Sequence, residues 1–324
     1  MKRIAFIAFI LLISICTLSL SGCTSGVIDA WNDLKRDDRA YLVVGLDEAN
    51  NNTDVILLVS VRDGEVSVLQ IPRDTYYSDG NYTGKINGIY PTLIASGMKE
   101  NAALERLAEL IGTTLGVKID GSAALRSSFV PDVTDRVGGI DIELSEGVEI
   151  TRPDGSILAL KKGTNHLDGE DVLLLVRHRA SYLSGDLGRM DMQKIVLSAL
   201  VRAMQRELDM SEMLSLAFDN RKNIITNFDF ADIYNILIKN LGRNNEPRIC
   251  YATLPGTSER LDDGLWYYFI SKNASTELFV SLGIGTDLDA EEKLLAKGKE
   301  NLYYEKEIKP RIYYNDDLSD IRIN

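Results

Sequence analysis

Asp47 and Asp54 bracket a short polar stretch between two apolar runs, 41–44 and 55–61. If those runs are neighbouring strands, the two carboxylates can meet at one edge of a sheet. Two carboxylates with phosphate oxygens form a common magnesium site, because this ion keeps few protein ligands. Taken alone, such acids read as ordinary loop residues; a basic set shifts the balance. Arg73 follows a third apolar run in Ile71-Pro72-Arg73-Asp74, and Lys85 stands in Lys85-Ile86-Asn87. Arg177 and Arg179 flank His178, directly after the apolar run 172–176. Arg189 and Gln193 are four apart, on one face of a helix. Arg189 also falls in that helix's first turn, where free N–H groups favour anions. Each arginine singly reads as surface ion pairing. Together, in an acidic chain, they suggest phosphate or pyrophosphate binding.

Other chemistries find little support. The chain has only two histidines, His166 and His178, and no Cys/His spacing suited to zinc. It has no Gly-x-Ser-x-Gly elbow and no Walker loop.

The elements that must position these side chains follow from hydrophobic patterning. Runs 41–44, 55–61 and 66–71 read as strands covered on both faces. Asp63-Gly64 signals a hairpin between the second and third. Over 101–115 the apolar residues Leu104, Leu107, Ile111 and Leu115 recur with helical spacing, and Gly116 is a stop. A short helix is expected over 129–137, a half-exposed strand over 140–144 and a turn at Pro153-Asp154-Gly155. The strongest helix covers 186–208, with Asp186 as its N-cap. Two more helices are expected over 211–218 and 230–241, and a strand over 248–254 that holds a buried Cys250. The pattern reads as one α/β domain over 39–283, followed by a charged tail, 284–324, without clear period.

The first residues set the compartment. Lys2 and Arg3 precede an uncharged apolar stretch, 4–20, closed by Leu20-Ser21-Gly22-Cys23. That order is a secretory signal, residues 1–22, and it resembles the lipobox of bacterial lipoproteins, with Cys23 as the lipidated new N-terminus and 23–38 as a tether. The alternative is an uncleaved membrane anchor, for which the stretch is short. Either way the remainder faces outward. The chain of 324 residues has 45% hydrophobic content and a net charge of −12, and loss of Lys2 and Arg3 makes it more acidic still. This argues against a general nucleic-acid or polybasic membrane surface. With Cys23 acylated, Cys250 has no partner and there is no disulfide framework.

The order of these pieces resembles the LytR-CpsA-Psr (LCP) family of bacterial envelope proteins. The matching segments are Leu42-Val43-Val44-Gly45-Leu46-Asp47, Thr53-Asp54-Val55-Ile56-Leu57, Ile71-Pro72-Arg73-Asp74-Thr75-Tyr76 and Lys85-Ile86-Asn87-Gly88-Ile89-Tyr90. They continue with Asp135-Arg136-Val137-Gly138-Gly139-Ile140, Leu167-Asp168-Gly169, Val176-Arg177-His178-Arg179, Asp186-Leu187-Gly188-Arg189 with Gln193, and Leu254-Pro255-Gly256 with Trp266-Tyr267-Tyr268. The resemblance spans 39–283 and implies a central mixed β-sheet flanked by helices. It implies a phosphotransferase on the outer face of the cytoplasmic membrane, held here by the expected lipid anchor, that moves a glycopolymer such as teichoic acid or capsule from a polyprenyl-pyrophosphate carrier to peptidoglycan. By motif, Asp47 and Asp54 match the magnesium-linked aspartates, with manganese as a substitute ion. Arg73, Lys85, Arg177, Arg179, Arg189 and Gln193 match the pyrophosphate-binding set, and Asp47, Asp54, Arg73 and Arg189 the catalytic one. Catalysis would be positioning and charge stabilisation without a protein nucleophile.

Three departures stand out. The loop 48–53 lacks the arginine that family members carry between the aspartates, Met192 stands where a further arginine is common, and a lipid anchor replaces the usual membrane helix. A non-catalytic polyprenyl-phosphate-binding lipoprotein is the rival these losses sustain. Direct transcriptional regulation, an older label of the family, is disfavoured by the acidic charge and the lack of a DNA-binding motif.

Overall fold

The computed structural model describes residues 38–47, 52–62, 64–182, 185–233, 248–285, 291–304 and 308–314, with Leu318 and Ile321. The signal segment 1–22, Cys23 and the tether up to residue 37 lie outside the described residues, as do 48–51 of the loop between the aspartates.

The elements in chain order are strands β1 (Asp38–Leu46), β2 (Thr53–Arg62), β3 (Glu65–Gln70), β4 (Tyr76–Ser78) and β5 (Thr83–Lys85), then helices α1 (Ile89–Ala95) and α2 (Glu100–Leu115). Next come β6 (Gly121–Arg126), α3 (Phe129–Arg136), β7 (Ile140–Leu144), β8 (Val148–Thr151), β9 (Ile157–Leu160) and β10 (Gly163–Leu167). Then follow α4 (Gly169–Arg177), α5 (Asp186–Glu207), α6 (Met210–Asp219), β11 (Ile224–Thr226), α7 (Phe230–Ile233) and β12 (Arg248–Thr253). The last are β13 (Gly256–Arg260), β14 (Trp266–Ile270), α8 (Lys272–Ser281), α9 (Glu291–Leu294), α10 (Glu300–Tyr304) and β15 (Ile312–Tyr314).

Seven strands form a mixed sheet in the order β11-β6-β1-β2-β3-β12-β15. β1–β2 and β2–β3 are antiparallel, the second pair as the Asp63-Gly64 signal predicts, with Arg62 paired to Glu65. β6 lies parallel to β1 and β12 parallel to β3. Successive side chains of β1 point to opposite faces. Leu42, Val44 and Leu46 join one apolar core with Leu104, Leu107, Ile111 and Leu115 of α2, while Tyr41 joins a second with Val172 and Leu175 of α4 and Ile195, Val196 and Ala199 of α5. The molecule is thus an α/β domain with helices on both faces of a mixed sheet. Gly116 closes α2 at φ +63°, a conformation that suits glycine.

The structure differs from the sequence reading at three places. α5 starts after Gly185, whose φ of +59° sets the turn, and no side chain caps it. Asp186 is therefore the first helical residue and not the cap. The stretch 230–241 is described as helical only over Phe230–Ile233, and the rest lies outside the described residues. The charged stretch after 283 carries α9, α10 and β15: Leu294 and Tyr303 enter the first core and β15 pairs with β12 at the sheet edge. Elements of three to five residues are too short to show a period. The described helices include none long and apolar enough to cross a membrane.

Candidate functional site

One edge of the sheet gathers the chemistry. β1 ends there at Leu46, β2 begins there at Thr53 paired with Leu46, and β3 ends there at Gln70. Asp47, Asp54 and Arg73 are thereby drawn from three neighbouring strands to one rim. Ile71 N–H donates to the Ile56 carbonyl at 2.8 Å, carrying the sheet register up to the Arg73 turn. The same rim receives the first turn of α5.

Four charged side chains form a chain across it. Arg73 Nη1 donates to Asp54 Oδ1 at 2.7 Å, and Arg73 Nη2 lies 3.2 Å from Asp186 Oδ1. Arg189 Nη2 lies 2.8 Å from the same Asp186 oxygen. The order Asp54–Arg73–Asp186–Arg189 alternates in sign. Arg189 is buried, at 5% exposure. Burial pulls the Arg73 guanidinium down, but Asp186 and Asp54 outweigh it and the net shift is upward. For Arg189 burial prevails and the shift is downward, with Arg73 adding repulsion and Asp186 partly offsetting both. Both stay charged at any physiological pH.

Gln193 closes the cleft from α5. Its Nε2 donates to the Val176 carbonyl at 3.2 Å, and its Oε1 is 3.5 Å from Gln70 Nε2. Asp54, Gln70, Arg73, Asp186, Met190 and Gln193 line one narrow cleft. The bond to Val176 fixes the C-terminal end of α4, from which Arg177 and Arg179 follow. Both arginines are exposed, and neither has a carboxylate partner among the described residues. The structure joins Arg73 and Gln193 in one cleft, ties Arg189 to it through Asp186, and leaves Arg177 and Arg179 at the end of α4.

Lys85 sits on the neighbouring turn. Its Nζ is 2.8 Å from Asp74 Oδ1 and 5.9 Å from the Tyr267 ring centre. Asn87 N–H donates to the Arg73 carbonyl at 3.2 Å, which laces this turn to the Arg73 loop. Asp47 accepts from the Asn52 backbone N–H at 3.1 Å and from Asn52 Nδ2 at 3.0 Å. It therefore braces its own loop. His178 accepts at Nε2 from the Ser181 backbone N–H, 3.2 Å away, with Ser181 Oγ at 2.8 Å. Burial lowers its pKa, so it is a neutral turn-holding ring. His166 pairs with Asp141 across β7 and β10, on an exposed surface.

The sequence reading missed Gln70 and Asp186. Gln70 looks like any strand residue. Asp186 carried a visible signal, an acid three residues before Arg189 on a helix, but capping chemistry explained it first.

A family model described as LytR_cpsA_psr family matches residues 25–282. The chain is 28% identical over 251 residues to the cell wall biosynthesis protein LcpA of Corynebacterium glutamicum, covering 70% of this chain and 47% of that one. It is 25% identical to the polyisoprenyl-teichoic acid–peptidoglycan teichoic acid transferase TagU of Bacillus cereus, covering 75% of this chain and 77% of that one. The chain thus spans about half the length of the first relative and three quarters of the second. The crystal structure of protein gbs0355 from Streptococcus agalactiae superposes with a TM-score of 0.64 at 20% identity, covering 79% of this chain and 91% of that one, a likeness of fold.

Proposed function

The chain belongs to the LytR_cpsA_psr family, and from that premise we propose that it is an envelope phosphotransferase, moving a glycopolymer from a polyprenyl-pyrophosphate carrier to peptidoglycan. One observation carries the reading: guanidinium groups of Arg73 and Arg189, from distant parts of the chain, converge on a single carboxylate oxygen at a helix start. A site that gathers positive charge around one oxygen is suited to a multiply charged anion. The names of the two relatives, a cell wall biosynthesis protein and a teichoic acid transferase, support the polymer class.

In this reading an acceptor hydroxyl oxygen bonds to the phosphorus that carries the polymer. The bridging P–O bond breaks, its electron pair and the hydroxyl proton go to the departing phosphate, and polyprenyl phosphate leaves. Arg73 and Arg189 hold the pyrophosphate, Gln193 orients it, and Arg177, Arg179 and Lys85 close around its outer oxygens. Their charges oppose the negative charge that builds on the leaving phosphate.

Magnesium belongs to the same proposal. The rim offers the oxygen donors a hard cation needs. The bond from Arg73 uses only Oδ1 of Asp54, and Asp47 adds a second carboxylate at the end of β1, held by its bonds from Asn52. No group of three metal-ligating side chains occurs among the described residues. Asp54 and Asp47 would hold the ion together with substrate oxygens. When bound it would neutralise charge on the phosphates. Cys23, outside the described residues, would carry the lipid that tethers the protein to the outer membrane face.

The test is a pair of measurements on Asp54→Asn. Transfer of a lipid-linked oligosaccharide to peptidoglycan oligomers should be lost, while lipid binding in chelator stays within a few-fold of wild type. Transfer at the wild-type rate removes Asp54 from the mechanism. Tight lipid binding by the wild type without transfer of any polymer replaces the enzyme with the binding lipoprotein.

A further inference from the structure

We propose that the Asp186 carboxylate is a built-in stand-in for the ligand anion: it keeps Arg73 and Arg189 facing one another and is displaced when pyrophosphate binds. The inference rests on the pyrophosphate reading above.

The geometry is that of a substitute. Asp186 Oδ1 is within 3.2 Å of one guanidinium and 2.8 Å of the other, yet it is buried without a properly directed hydrogen bond, and so are Arg189 Nε and Nη2 and Arg73 Nε. A carboxylate built to serve these arginines would meet them with a planar fork. This one is fixed to the first residue of a helix and reaches them off-axis. Unpaired N–H groups on a guanidinium only 5% exposed are costly. A ligand with several oxygens on each phosphorus can satisfy them, and one carboxylate cannot. Around the same point the first turn of α5 has no side-chain cap among the described residues, and a helix start of this kind favours an anion.

Two duties follow for Asp186. It stabilises two like charges that otherwise repel, since Arg73 lowers the pKa of Arg189. It also competes with the ligand, which weakens affinity and eases release of the phosphate product. This separates Asp186 from a residue that merely orients arginines. Loss of an orienting residue weakens binding. Loss of a competitor strengthens it.

The experiment is calorimetric titration of the purified full-length chain with inorganic pyrophosphate in chelator, for wild type, Asp186→Asn, Arg73→Ala, Arg189→Ala and the exposed-loop control Asp154→Asn. Asp186→Asn should bind on the order of ten-fold more tightly, the worth of one charged contact. Its melting temperature should fall without pyrophosphate and recover with it. Asp154→Asn should match wild type. Unchanged or weaker binding by a folded Asp186→Asn overturns the inference. If the arginine variants bind as wild type does, the phosphate reading itself fails. If they weaken while Asp186→Asn does not tighten, only the stand-in role falls. A wild-type crystal structure with pyrophosphate bound covers the case of a variant that does not fold. Asp186 should stand more than about 4 Å from both guanidinium groups, beyond ion-pair range, and a carboxylate still bridging them refutes the proposal.

Discussion

Arg189 illustrates how a charge is made useful by burial. Its guanidinium is buried beside Asp186, and its Nε and Nη2 have no well-directed acceptor. Arg189→Ala should weaken pyrophosphate binding by about ten-fold or more, since a charge-assisted contact is worth roughly 1.5–3 kcal/mol. Arg189→Lys should recover only part of this, because an ammonium cannot present a planar fork. Titration calorimetry checks both, and a lysine variant with full affinity would show that point charge alone suffices. The importance of Arg189 and Gln193 could be read from their four-residue spacing on one helix face. That of Asp186 could not, because an acid at a helix start has a cheaper explanation in capping until the φ of Gly185 shows otherwise. Gln70 had no local signal at all. Its partner Gln193 comes from another element, and side-chain pairing across the fold leaves no mark on either stretch of sequence.

α5 shows the same economy along a whole helix. One face packs Ile195, Val196 and Ala199 into the apolar core, and Lys194 beside them is only 2% exposed. Its Nζ is 2.6 Å from Asp191 and 5.9 Å from the Tyr313 ring centre of β15. Burial pushes its pKa down, with Asp191 offsetting part of the shift. A depressed lysine pKa means that the unfolded chain binds more protons. Its drag on stability is therefore present at neutral pH and fades as pH rises toward the unfolded value near about 10.4. Lys194→Met should stabilise by on the order of 1 kcal/mol at pH 7, since Asp191 can turn to water. The gain should shrink toward pH 10. Urea melts of both chains at the two pH values decide it; a destabilised variant would mean that the ammonium contributes more than its burial costs. Long elements such as α2 and α5 were legible because eleven or more residues establish a period. β15, β4 and α9 were not, since three or four residues cannot, and their place in the sheet or core depends on partners far away.

Most tyrosines among the described residues are buried. Burial holds Tyr77, Tyr90, Tyr251 and Tyr303 up to about 12, and Tyr41, Tyr182 and Tyr268 also well above the ordinary phenol value. For a raised phenol the unfolded chain ionises first. The stability these groups confer is complete below about pH 10 and lost as pH rises through about 12. Unfolding by alkali should therefore be cooperative in this window, with tyrosinate absorbance and loss of circular dichroism appearing together; tyrosinate forming before unfolding would contradict it. The alternation of strands and helices made the α/β class readable, but the order of strands was not. β12 enters beside β3 with Ser67 and Cys250 in contact across 183 residues. The β1–β2–β3 meander can close from a local stretch, whereas β12 must wait for the whole middle of the chain, and such distant pairing is slow to find. Until it arrives, β3 presents an unpaired row of N–H and C=O groups. A nascent or truncated chain ending before residue 248 is thus a template for misassembly that the finished protein has hidden.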